Sequence, residues 1–138
     1  MKPKRRYLQF SLLTLFVIVT VVAAGSHWFA ARRRAEAAEE EYQYVKAGLY
    51  AGTKTKEDIY RASIDWLNAE LAVPFCKPDE LYKAHRARMT TLEEWCQGNA
   101  HLGLFGSEAG KRDAEREAAK STEWRREAEQ WVKENAKP

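Results

Sequence analysis

The sequence predicts an all-α protein: a single N-terminal transmembrane helix that continues into an antiparallel helical hairpin or bundle, about four helices in total. Three observations carry this. From Tyr7 to Ala31 there are 25 residues without a Lys, Arg, Asp or Glu. Beyond them apolar residues recur in steps of three and four, and no stretch alternates as a half-buried strand would. The joints between these periodic stretches are short, which sets consecutive helices antiparallel.

The first element divides the chain into a basic flank (1–6), a membrane helix acting as a signal-anchor (7–31) and an extramembrane helical domain (32–138). At about 1.5 Å per residue the apolar stretch is long enough to cross a hydrocarbon core of roughly 30 Å. "MKPKRR" in front of it would also serve a secretory signal, and Ala23-Ala24-Gly25 has the small residues of a cleavage site. A signal's apolar region runs about 7–15 residues, whereas Leu8–Ala24 already has 17. The anchor reading also gives Trp28 an interfacial place and makes Arg32, Arg33 and Arg34 the stop at the headgroups. An exported soluble bundle cut near Gly25 is the alternative. Four Lys and Arg precede the apolar run and three follow it before Lys46. The positive-inside rule therefore favours a cytoplasmic N-terminus and a body outside the cytoplasm, with the inner membrane as its location.

Charge supports the same division. The formal net charge is +3, but seven basic residues flank the apolar run. Residues 35–138 hold 16 Lys and Arg against 20 Asp and Glu, a body of −4. A domain of that sign lacks the basic patch that nucleic-acid binding requires.

The helices follow in order, expected at about 32–51, 56–73, 78–102 and 108–135. Ala35, Ala38, Tyr42, Val45 and Leu49 form a narrow coiled-coil seam, the first candidate face for self-association. Nothing between Ala31 and Ala35 breaks the chain, so the membrane helix should run into this seam and end near Gly52, a residue suited to the left-handed cap. Thr55 with Asp58 three positions later reads as a capping box opening the second helix. That helix carries Tyr60, Ile64, Leu67 and Leu71 on one stripe, with Ile59, Ser63 and Trp66 beside it, and stops at Pro74. Pro78 suits the first turn of the third helix, and Asp79 and Glu80 suit its positive dipole end. Its buried stripe is Tyr82, His85, Met89, Leu92 and Cys96. "GLFGSEAG" (103–110) makes the last connection. The final helix has a sparse apolar face of Ala114, Ala118, Trp124, Ala128, Trp131 and Val132. A faint echo at a spacing of 58 pairs Ser63–Trp66 with Ser121–Trp124, Ala51-Gly52 with Ala109-Gly110, Gly48 with Gly106 and Glu57 with Glu115. It suggests two degenerate copies of one helical hairpin.

"GLYAGTKTKEDIYRASIDWLNAELA", Gly48 to Ala72, resembles the helical-hairpin repeat of TolC-type outer-membrane efflux proteins. There a helix ends in aromatic-x-Gly, a Ser/Thr-bearing turn and an acid follow, and the return helix steps Ala and Leu regularly. The likeness covers about 25 residues and implies a coiled-coil hairpin in an envelope setting. It does not imply a channel, since the sequence has no barrel strands.

Chemistry-bearing constellations are few. Cys76 and Cys96 would lie near opposite ends of one helix, about 30 Å apart, far beyond the reach of about 7 Å between Cα atoms that a disulfide allows. His85, Cys96 and His101 could bind a metal only if another helix supplied convergent partners. No Ser/His/acid set, glycine phosphate loop or CxxC is present. Trp124 and Trp131, seven apart on one helix face, either pack on the bundle or anchor a partner. The expectation is a membrane-anchored interaction or scaffold protein of the bacterial cell envelope, without catalysis or cofactor. Its partners would be the bilayer and another envelope protein or a second copy of itself, with a metal-binding protein as an alternative.

Overall fold

The computed structural model describes residues 12–99 in full, the backbone of 100–102, and residues 108–135. The basic flank, the start of the apolar run, the 103–107 connection and the last three residues lie outside these. Four helices make up the described chain: α1 (Leu12–Tyr50), α2 (Lys56–Leu71), α3 (Pro78–Leu102) and α4 (Glu108–Asn135). No strand occurs among the described residues.

α1 is one unbroken rod of 39 residues, about 58 Å at 1.5 Å per residue. Its two halves differ completely. Every residue from Leu12 to Ala30 is exposed, and burial begins at Ala31 and recurs at Ala35, Tyr42, Val45 and Leu49. In the apolar half, the hydroxyls of Thr20 and Ser26 donate to the carbonyls of Phe16 and Val22, each at 2.8 Å. Their polarity is thus absorbed by the helix itself, as an apolar solvent would demand.

The end of α1 is a Schellman motif. Gly52 has φ 75°, Thr53 N–H donates to Gly48 O at 2.9 Å, and Gly52 N–H donates to Leu49 O at 3.0 Å. Both pairings satisfy carbonyls that the helix end would orphan. Thr55 then caps α2: its hydroxyl accepts from Asp58 N–H at 3.2 Å, and its own N–H donates to Asp58 Oδ2 at 2.8 Å. The capping box holds the Asp58 carboxyl below its usual range, first through the Thr55 backbone and then through the Thr55 hydroxyl. Past Leu71 the chain turns through Val73-Pro74-Phe75-Cys76 and re-enters a helix at Pro78, with Asp79 and Glu80 in the first turn.

Side-chain pairings fix the topology. Tyr42 meets Trp66 near the middle of the packed α1/α2 pair. Glu93 on α3 meets Thr122 and Arg125 on α4, while His85 meets Trp131, so numbers fall on α4 as they rise on α3. Between α2 and α4 they rise together: Lys56 pairs with Glu117, and Tyr60 with Trp124 and Glu127. The bundle is therefore up-down-up-down. The α2–α3 turn and the end of α4 share the end where α1 arrives from its apolar half, and the α1–α2 turn lies at the far end.

The core gathers Tyr42, Val45, Leu49, Ile59, Ala62, Met89, Leu92, Cys96 and Ala128. On α2 the buried centre is Ile59, Ala62, Ser63 and Leu67, while Tyr60, Ile64 and Leu71 are half-buried. The stripe expected from the sequence is thus rotated toward its flank. The reason is packing: α2 contacts α1, α3 and α4, so a wide arc of it is enclosed and its centre falls between neighbours. The repeat of period 58 survives at Ser63 and Ser121, both buried, and at Trp66 and Trp124, both half-buried. It fails at the Gly52/Gly110 pair, because Gly52 is the left-handed cap whereas Gly110 lies inside α4, and Gly106 lies outside the described residues.

Candidate functional site at the membrane junction

The exposed apolar half of α1 meets the bundle within a few residues. Trp28 is partly exposed at this level, Arg32 bonds Glu36 at 3.1 Å one turn on, and the Arg33 guanidinium sits 4.8 Å from the Phe29 ring centroid. Arg34 is exposed. An amphipathic aromatic followed by cations on apolar stems is the composition of a bilayer interface. Ala31 and Ala35, small and buried, let α1 approach the bundle closely just past this point.

The α2–α3 turn comes up beside the same level. Trp28 and Arg32 share a recess of about 470 Å³ with Val73, Pro74, Phe75 and Lys77. Phe75 at its tip is 100% exposed and has φ 64°, a left-handed conformation that bulky L residues rarely hold. Cys76 beside it is half-buried and its thiol points to Leu71 O at 3.7 Å.

The sequence-derived candidates are otherwise absorbed by the fold. Ala35, Tyr42, Val45 and Leu49 are buried and Ala38 half-buried. Their face packs within the chain, mainly against α2, which corrects its reading as a free self-association seam. Trp124 stacks on Tyr60 at 4.6 Å between ring centroids. Trp131 stacks on His85 at 5.4 Å and meets Tyr82 edge-on at 6.4 Å. Both tryptophans are half-buried bundle residues.

Two buried polar clusters were not legible as such in the sequence. In the first, Ser63 Oγ lies 2.9 Å from His85 Nδ1 and accepts from Arg88 Nε at 2.8 Å. Arg88 also reaches Ser63 O at 3.5 Å and covers the Trp66 ring at 4.1 Å. Arg88 can only donate, so the Ser63 hydroxyl accepts from it and keeps a second lone pair and its own proton for the bond with His85 Nδ1. Burial first, and the Arg88 charge second, push the His85 pKa down to about 4. A serine and a histidine in contact invite a catalytic reading, but at 0% and 1% exposure no substrate reaches them. With Arg88 they form a hydrogen-bonded polar layer between α2 and α3. In the second cluster the Glu93 carboxylate pairs with Arg125 and accepts from Thr122 at 2.7 Å, tying α3 to α4. Arg88 follows His85 by three and Glu93 adjoins Leu92, so both flank the buried stripe of α3. That flank was the one signal available.

Both cysteines are free: Cys76 half-buried, Cys96 buried, with burial as the main cause raising the Cys96 thiol pKa. Among the described residues no group of three or more His, Cys, Asp and Glu could hold a metal ion. His85 and Cys96 are eleven residues apart on α3, about 16 Å along its axis, and the side chain of His101 lies outside the described residues. No protein-family model, curated protein or solved structure matches the chain.

Proposed function

We propose that this chain is a single-pass, membrane-anchored helical interaction or scaffold protein of the bacterial cell envelope. Its N-terminus is cytoplasmic, and its bundle stands outside the cytoplasm against the inner-membrane surface. One observation carries the reading: a single helix changes at Ala31 from fully exposed and apolar to buried in the bundle, with Trp28 and three arginines at the change. Leu12–Ala31 spans about 30 Å, the thickness of a hydrocarbon core. An anchor that is also a bundle helix holds the domain at a fixed height and orientation, as a scaffold needs and a flexible tether does not provide. The resemblance at Gly48–Ala72 points to the same envelope setting.

The partner-facing surface moves away from Trp124 and Trp131. Tyr44 and Tyr50, on the far half of α1, are 64% and 60% exposed, and tyrosine is enriched where proteins meet. The partner is another envelope protein or a second copy of the chain, and sedimentation of the detergent-solubilised protein separates the two.

Topology is tested by impermeant thiol labelling of intact cells carrying Glu115→Cys on the exposed surface of α4. Labelling above the level given by Cys76 and Cys96 alone is expected. Protection until lysis would reverse the orientation.

A further inference from the structure

We propose that the α2–α3 turn, residues 73–76 with Phe75 at its tip, enters the bilayer interface beside Trp28 as a second membrane contact. This rests on the anchor reading above. Three observations converge on it. Phe75 is the most exposed large apolar residue described, at 100%. It lines the same recess as Trp28 and Arg32, so it stands at the level where α1 leaves its apolar half. And it holds φ 64°, where glycine would sit without strain. A fully exposed phenylalanine kept in a glycine conformation gains nothing from the bundle, so its role lies in what it meets outside.

The surroundings select the lipid's apolar boundary over a headgroup phosphate. Arg32 is engaged by Glu36 at 3.1 Å and Lys77 by Glu80 at 3.0 Å, and Glu70 also lines the recess. Its charges are largely balanced among themselves, so the recess offers little net attraction to an anion. What remains is the fully exposed Phe75 and the half-buried Val73 and Pro74, apolar residues that share the recess with Trp28 of α1. An aromatic wedge at this depth gains by partial burial among acyl chains and headgroups. Two adjacent contacts, a helix and a turn lining one recess, would hold the bundle against rocking on its anchor.

The full chain is reconstituted in phosphatidylcholine–phosphatidylglycerol vesicles with a photoreactive lysine analogue at Lys77, two residues from the tip. A second sample carries the probe at Glu57, at the far end of the bundle. Irradiation should give phospholipid adducts at 77 and few at 57. Phe75→Gly should reduce the adducts at 77 severalfold while leaving thermal stability in detergent unchanged or higher, because glycine relieves the strained φ. Phe75→Leu should retain most of them. Equal adduct yields at 77 and 57, or a yield at 77 indifferent to Phe75→Gly, would overturn the proposal while the chain still floats with the vesicles. A chain that does not float overturns the anchor reading, and this inference with it.

Discussion

His85 shows how much one residue decides. Its ring shares a hydrogen bond with Ser63, stacks on Trp131 and is sealed from water. Its pKa falls from 6.5 to about 4. The unfolded chain therefore takes up a proton that the folded one refuses between those values. Stability is full above pH 6.5, declines as pH falls toward 4, and loses no more to this group below that, a total of roughly 3 kcal/mol. His85→Asn keeps a hydrogen-bonding group for Ser63 but cannot titrate, so the pH dependence of its melting temperature should be flatter over this window. Arg88 brings a charge into the same layer, held by a hydroxyl, a carbonyl and two ring faces. Arg88→Ala removes the guanidinium from the Trp66 and Tyr42 rings and its bonds to Ser63, and should destabilise the bundle by about 2–3 kcal/mol in denaturant titration. Arg88→Lys should recover only part, because an ammonium cannot stack and donate in one plane.

At the scale of elements, what was legible is what local chemistry dictates. The Gly52 cap, the Thr55–Asp58 box and the Pro78 start each depend on residues within one turn, and each stands at the end the sequence assigned it. The stripe of α3 was legible for a related reason: it is a strict step of three and four, and His85, Met89, Leu92 and Cys96 are buried, with Tyr82 half-buried at its start. The centre of α2 was not, because its rotation is set by three neighbours that lie up to 67 residues away in sequence. Phe75 was also missed, since "VPFCKP" reads as a turn and a turn gives no hint of where its aromatic points. Two glycines separate local geometry from packing. At Gly52, φ 75° makes Gly52→Ala destabilising by about 1–2 kcal/mol despite open space around a Cβ. At Gly98, helical and exposed with nothing within 4 Å, Gly98→Ala should stabilise by about 0.5–1 kcal/mol. Opposite shifts in melting temperature would check both together.

At the scale of the whole molecule, one helix carries both an exposed apolar half, long enough to cross a membrane, and a bundle half. α1 has an apolar half with no internal burial and a second half that is a quarter of a four-helix core, and the residues between them are those of a membrane interface. The buried polar clusters hold the four helices in one register, and the α2–α3 turn brings Phe75 back to the level of Trp28. Whether the bundle is tethered therefore depends on whether the apolar half stays attached. A cut near Gly25 would leave the buried residues of α1 intact, so folding alone cannot distinguish a tethered bundle from a released one. The mass of the mature chain can. Recovered from alkali-washed membranes, the protein should retain Leu12–Gly25 and remain with the lipid. A soluble chain beginning at Ser26 would contradict the anchor and leave an exported bundle in its place.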